Sequence, residues 1–183
     1  MAYVALKTKV LNRGKAPDAF LDELLVWGKG ANNDIFAPNA EHDIYTSIMP
    51  VLGPWRDNLH RRAVMLEVMR VLAGFESSWD WNEGRDEANP TSVTATTIEA
   101  GAWQVSANSM SFAPELRALV VARAGSADGN AFQAAMKSDH HLAMEYVARL
   151  LRYTVNHHGP VKRHEIDPWL RKDAVHEILS FLR

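Results

Sequence analysis

The longest run of regular hydrophobic spacing extends from Pro54 or Trp55 to about Phe75. Placed on a wheel at about 100° per residue, Met65, Met69, Leu72 and Ala73 share one half. Arg56, Asp57, His60, Arg61, Glu67 and Arg70 share the other. The spacing predicts an amphipathic helix with one apolar and one charged half. If the helix continues by one residue, Glu76 falls in the middle of the apolar half, one turn beyond Leu72 and Ala73. A carboxylate there breaks the pattern, and such breaks concentrate at functional sites.

The remaining pattern predicts mostly helices. Pro17 fits a first helical turn, Phe20, Leu21, Leu24, Leu25 and Trp27 follow at helical spacing, and Gly28 and Gly30 stop the run. Residues 32–39 are rich in turn formers, and a short helix is expected over Glu41–Met49. Further helices are predicted at Pro114–Ala124, near Asn130–Lys137 and over Asp139–Tyr153. Asp167 and Pro168 look like the N-cap and first residue of a last helix, which carries Trp169, Leu170, Ala174, Ile178, Leu179 and Leu182 inward. Between Trp79 and Val105 the helical period disappears. Asp80, Asn82, Gly84, Asp86, Asn89 and Pro90 are turn formers. Thr91–Ile98 is rich in β-branched residues, which predicts a small antiparallel hairpin or three-stranded sheet. The class expected is therefore mainly α (α+β), one domain over 1–183. Residues 1–53 form an N-terminal region, 54–165 a core and 166–183 a C-terminal helix.

Several residues carry candidate chemistry. Glu76, beside Phe75 and Trp79, is placed to have its carboxyl held protonated by desolvation, which a general acid acting near neutral pH requires; the plainer alternative is a helix-end glutamate turned to solvent. Asp80, Glu83, Asp86, Glu87 and Glu99 offer a second carboxylate or a solvated acidic loop. Glu99 is the best placed of these, because it enters the turn at Gly101. Gly101 permits close backbone approach to a ligand. Gln104 has the amide to bond a hydroxyl or an N-acetyl group, and Trp103 either stacks on a sugar or fills the core. The histidines His140, His141, His157, His158, His164 and His176 raise the question of a metal. Adjacent histidines on a helix point about 100° apart, however, and no His-Glu-x-x-His spacing exists, so no metal and no cofactor is expected.

Composition narrows the field. With 183 residues the chain can bury a sizeable core, and a net charge of −2 without a basic run argues against nucleic acid as partner. Cysteine is absent, which rules out disulfides and thiol chemistry. Lys7, Lys9, Arg13 and Lys15 interrupt any signal-like apolar stretch, and no run approaches the roughly 18 apolar residues of a membrane span.

Glu76-Ser77-Ser78-Trp79 resembles the Glu-Ser-[Ser/Ala]-[Trp/Phe] motif of lytic transglycosylases and goose-type lysozymes. Gly101-Ala102-Trp103-Gln104-Val105 resembles their Gly-Leu-Met-Gln-Ile turn. Tyr153-Thr154-Val155-Asn156 with Gly159-Pro160 is similar to their Tyr-Asn-Ala-Gly-Pro segment, although two residues separate Tyr153 from Asn156 here. Ile98 and Glu99 stand where that family has Gly-Ala. The resemblance covers roughly residues 54–165. It implies a lysozyme-like helical domain with a small central β element beside a cleft, and a glycosidase that cuts the β-1,4 bond between N-acetylmuramic acid and N-acetylglucosamine in peptidoglycan. Glu76 is then the catalytic acid/base, with Glu99 as a second carboxylate. Ser77, Trp79, Gly101, Trp103, Gln104, Tyr153 and Asn156 would bind the glycan strand.

A muramidase and a lytic transglycosylase both fit. The alternatives are a chitinase- or chitosanase-like hydrolase and a non-catalytic helical binding module on the same fold. The missing signal leads to an expectation of synthesis in the cytoplasm and action in the periplasm or cell wall. Delivery would be as a secretion-system effector, with a cognate inhibitor or immunity protein, by phage-type lysis, or through an export domain elsewhere.

Overall fold

The predicted long helix becomes the axis of the molecule, but His60, Arg61, Glu67 and Arg70 of its charged half are buried. In the computed structural model, which describes residues 3–38, 44–153 and 159–183, helices α1 (Asp18–Gly30) and α2 (Ile44–Leu52) precede α3 (Asn58–Ser77). A two-stranded antiparallel sheet follows, β1 (Glu99–Ala100) with β2 (Val105–Ser106), paired Glu99 with Ser106 and Ala100 with Val105. Helices α4 (Pro114–Ala124), α5 (Gly129–Ser138), α6 (His140–Leu150) and α7 (Lys172–Leu182) complete the fold. The class is mainly helical with one small antiparallel sheet. None of the helices described is long and apolar enough to cross a membrane.

Helix α3 starts where Asp57 accepts a hydrogen bond from the His60 N–H at 2.7 Å, a side-chain N-cap two to three residues later than the start expected at Pro54 or Trp55. It packs against α1, α6 and α7. Its arginines are buried because they satisfy backbone carbonyls of neighbouring elements. The Arg62 guanidinium donates to Gly28 O, to Lys29 O at 3.0 Å and to Ala31 O at 2.8 Å, which closes the C-terminal end of α1. Arg61 donates to Phe36 O at 2.7 Å and lies over the Tyr45 ring at 3.6 Å. Arg70 and Glu67 form a forked ion pair at 2.7 and 2.8 Å with both side chains fully buried. The Glu67 carboxylate also accepts from Arg171 N at 3.0 Å, and Arg70 donates to Leu6 O and Thr8 O. Glu67 and Arg70 are thus covered by the N-terminal segment and the start of α7. Charged residues tolerate that position only because they are paired and hydrogen-bonded.

Other expectations also shift. Pro17 precedes α1 as its N-cap. Gly28 lies inside α1; a Cβ there would stand 2.4 Å from Leu66 Cδ1, so it marks a close crossing of α1 and α3 instead of a stop. Only part of the helix expected over Glu41–Met49 lies among the described residues, and α2 runs on through Pro50 to Leu52. Thr91–Ile98 forms turns, not strands. Its threonines bond locally, with Thr97 Oγ1 accepting from Val93 N and Thr94 N at 3.2 and 3.0 Å, and these bonds compete with a sheet ladder. Asp167–Trp169 is a separate 3-10 turn, and α7 begins only at Lys172. The helix expected over Asp139–Tyr153 ends at Leu150 and tightens into a 3-10 turn through Tyr153.

Candidate active site

The C-terminal end of α3 is fixed by two consecutive residues in the left-handed region, Ser78 (φ 60°) and Trp79 (φ 64°). Ser78 N donates to Gly74 O at 3.3 Å and Trp79 N to Ala73 O at 3.1 Å, which satisfies carbonyls of the last turn. Non-glycine residues hold this conformation only where the surroundings enforce it. Here the Trp79 indole does so. It folds back along the helix, donates from Nε1 to Arg70 O at 2.8 Å, and covers Gly74, where a Cβ would lie 2.4 Å from the ring. Ser77 supplies the second tie. Its hydroxyl donates to Ala102 O at 2.8 Å and accepts from Asp80 N at 3.1 Å, so the helix end is bound to the turn that follows β1.

That turn is built from the predicted Gly101–Gln104 segment. Gly101 has φ 74°, its N–H donates to Glu83 O at 2.9 Å, and a Cβ would press on Met136 O at 2.7 Å. Only glycine meets both conditions. The Trp103 indole donates to Met69 O at 2.9 Å and packs beside Phe20 and Trp81. Gln104 is itself left-handed (φ 46°), and its Nε2 donates to Gly101 O at 3.1 Å, which leaves the amide oxygen as an acceptor.

Between the α3 end and this turn lies a cavity of about 730 Å³. Glu76, Glu99, Trp103 and Gln104 line it together. Ser77, Trp79 and Gly101 do not; they are the internal anchors that set its walls, so the binding role expected of them becomes a positioning role. Tyr153 lies elsewhere, its hydroxyl donating to Glu115 at 2.9 Å. Asn156 falls outside the described residues.

Glu76 is the most perturbed acid facing the cavity. Its pKa is raised to about 7, first by burial. The Arg163 charge opposes this, and the charges of Glu165, Asp86 and Glu99 reinforce it. Desolvation disfavours the ionised carboxyl, so Glu76 keeps its proton well above the usual carboxylate range. Glu99, on β1, accepts from Asn89 Nδ2 at 2.7 Å and from the Ser92 hydroxyl. The arrangement combines a carboxyl that can give and retake a proton with a fixed second carboxylate.

Residues absent from the sequence expectation complete the wall. Asn89, Thr97, Asn108 and Ser111 add polar groups, and Phe112 and Leu151 add apolar surface. Lys162 and Arg163 bring positive charge, with Arg163 paired to Glu165 at 2.7 and 3.0 Å. They follow Gly159 and Pro160, which also line the cavity and were the one sequence signal pointing there. Among the histidines of the described residues, His140 stacks on Trp81 at 3.9 Å and His164 contacts Asp167 at 3.1 Å. No group of three or more metal-ligating side chains comes together among the described residues.

No family model, no curated protein and no solved structure matches this chain.

Proposed function

We propose that this protein is a peptidoglycan-cleaving glycosidase of lysozyme-like type. Glu76 is the general acid that protonates the leaving oxygen of a β-1,4 glycosidic bond, and then the base for the second half of the reaction. The observation that carries this reading is the Glu76 carboxyl itself. It sits at a rigid helix end, faces a large cavity, and has its pKa raised to about 7 by burial. Glycosidic cleavage needs an acid of that kind near neutral pH. Glu99 would stabilise positive charge developing at the sugar ring or orient the attacking group. With water as nucleophile the product has a reducing end; with the sugar's own 6-hydroxyl it has an anhydro end.

The mixed cavity wall supports a glycan carrying both neutral and anionic groups. Gln104 and the neighbouring serine, threonine and asparagine side chains suit hydroxyl and N-acetyl groups. Lys162 and Arg163 suit the carboxylates of muramic acid and of its peptide, and they disfavour the cationic polymer chitosan. A cell-wall substrate would put the site of action outside the cytoplasm, and an inhibitor protein, where one exists, would cover this cavity. Digestion of purified cell walls and of chitin, followed by mass analysis of the fragments, tests the proposal. Release of muropeptides from walls by the wild type but not by Glu76→Gln is expected. Equal release by both forms, or attack on chitin alone, overturns it.

A further inference from the structure

A second pocket, of about 260 Å³, lies where the N-terminal ends of α3 and α7 meet. Arg56, His60, Lys172 and His176 line it, together with apolar surface from Pro54 and Val175. Glu76 is roughly 24 Å farther along α3 at 1.5 Å rise per residue, so this pocket is separate from the candidate active site. No aspartate or glutamate lines it among the described residues. The acids that flank these basic residues on the two helices are engaged otherwise. Asp57 accepts from the His60 N–H at 2.7 Å, and Asp173 pairs with Arg171 at 3.0 Å.

His60 is the informative residue. It is 8% exposed, yet its ring opens on the pocket. Nδ1 accepts a hydrogen bond from Arg56 N at 3.2 Å, so the neutral ring carries its proton on Nε2. Burial lowers the pKa of His60, and the charges of Arg56 and His176 lower it further against the opposing charge of Asp57. Burial thus favours the neutral ring, and its Nε2–H donor has no acceptor among the described residues. Lys172 Nζ has only a 3.3 Å contact with Gly53 O, which leaves it two further donor hydrogens.

We propose that this pocket binds a phosphate group, either free or as the ester of a small molecule. The guanidinium of Arg56 and the ammonium of Lys172 supply the charge, and His60 Nε2–H and the His176 ring supply hydrogen bonds. Pro54 and Val175 give an ester's apolar body a surface to rest on. A site of this type at the far end of the central helix would tie α3 to α7.

The test uses the full chain at constant ionic strength, titrated with sodium phosphate, with phenyl phosphate and with sodium chloride as control. The readout is the backbone amide resonances of residues 52–60 and 172–176. Saturable shifts with either phosphate and none with chloride are expected. Affinity should fall by about tenfold or more in Lys172→Ala and in the double variant Arg56→Ala/Lys172→Ala, corresponding to about 1.4 kcal/mol. Both are exposed side chains whose removal leaves the core intact. Tighter binding of phenyl phosphate would identify an ester as ligand, and equal binding would identify free phosphate. Glu76→Gln should bind like the wild type whether or not the chain cleaves cell walls. Shifts that match the chloride control, or that persist unchanged in the double variant, overturn the proposal.

Discussion

Replacing Glu76 by glutamine should make the protein inactive and more stable at once, and the gain should depend on pH. The folded state holds the Glu76 carboxyl at a pKa of about 7, against an ordinary value of 4.5. Its folded pKa is raised, so the folded state binds the proton more tightly than the unfolded chain. The contribution is fully present below pH 4.5 and is lost as pH rises through 7. By linkage, ionising this group costs the wild type about 3 kcal/mol of stability at pH 8 but less than about 1 kcal/mol at pH 5. Glutamine has nearly the same shape and never ionises. The stability difference between Glu76→Gln and wild type should therefore grow by about 2.5 kcal/mol between pH 5 and pH 8, equivalent to roughly 5–10 °C in melting temperature for a domain of this size. Urea unfolding of both proteins at several pH values measures it, provided the slopes stay equal. A difference that stays constant over that range would refute the claim that the half-buried Glu76 is destabilised when charged. The catalytic reading would then lose its physical basis.

Further outcomes follow from neighbouring contacts. Arg163→Ala removes the positive charge that opposes protonation of Glu76, so the alkaline limb of the pH–activity profile should move to higher pH while the chain stays folded. Glu67→Gln leaves the fully buried Arg70 guanidinium without its carboxylate and should cost about 3–5 kcal/mol in denaturant unfolding. Gly101→Ala places a Cβ against Met136 O in a left-handed conformation; a loss of about 1–3 kcal/mol is expected, with activity reduced through displacement of Gln104. Trp79→Phe deletes the bond to Arg70 O and should lower stability by about 1–3 kcal/mol, since a buried carbonyl loses its donor, while leaving substrate affinity little changed because the indole does not line the cavity.

The features legible in the sequence were those encoded locally. Helical spacing placed α1, α3, α4, α5 and α6 within a few residues, and the break in that spacing singled out Glu76 as the carboxylate on the apolar half. Gly101 was singled out for close backbone approach to a ligand, whereas what requires glycine there is its left-handed φ together with the Met136 carbonyl packed against it. The errors share one cause, which is tertiary satisfaction of polar groups. Arg61, Glu67 and Arg70 read as a charged face, because a wheel cannot register that the carbonyls of Phe36, Leu6 and Thr8 and the Arg171 N–H wait for them. Trp79 read as a sugar-facing indole, because its partner Arg70 O lies back along the same helix. Thr91–Ile98 read as strand on β-branching alone, whereas threonine hydroxyls bonded the nearby backbone first. Lys162 and Arg163 reach the cavity from a distant segment, and no local pattern announces that.

The role of Glu76 as general acid is tested by the pH dependence of cell-wall cleavage, measured as glycan ends released from purified peptidoglycan by the wild type and by Glu76→Gln. Wild-type activity should decline as pH rises through about 7, where Glu76 loses its proton, and the variant should show at most residual activity at every pH. Cleavage by the variant at the wild-type rate, or a wild-type profile flat from pH 5 to pH 9, would contradict it.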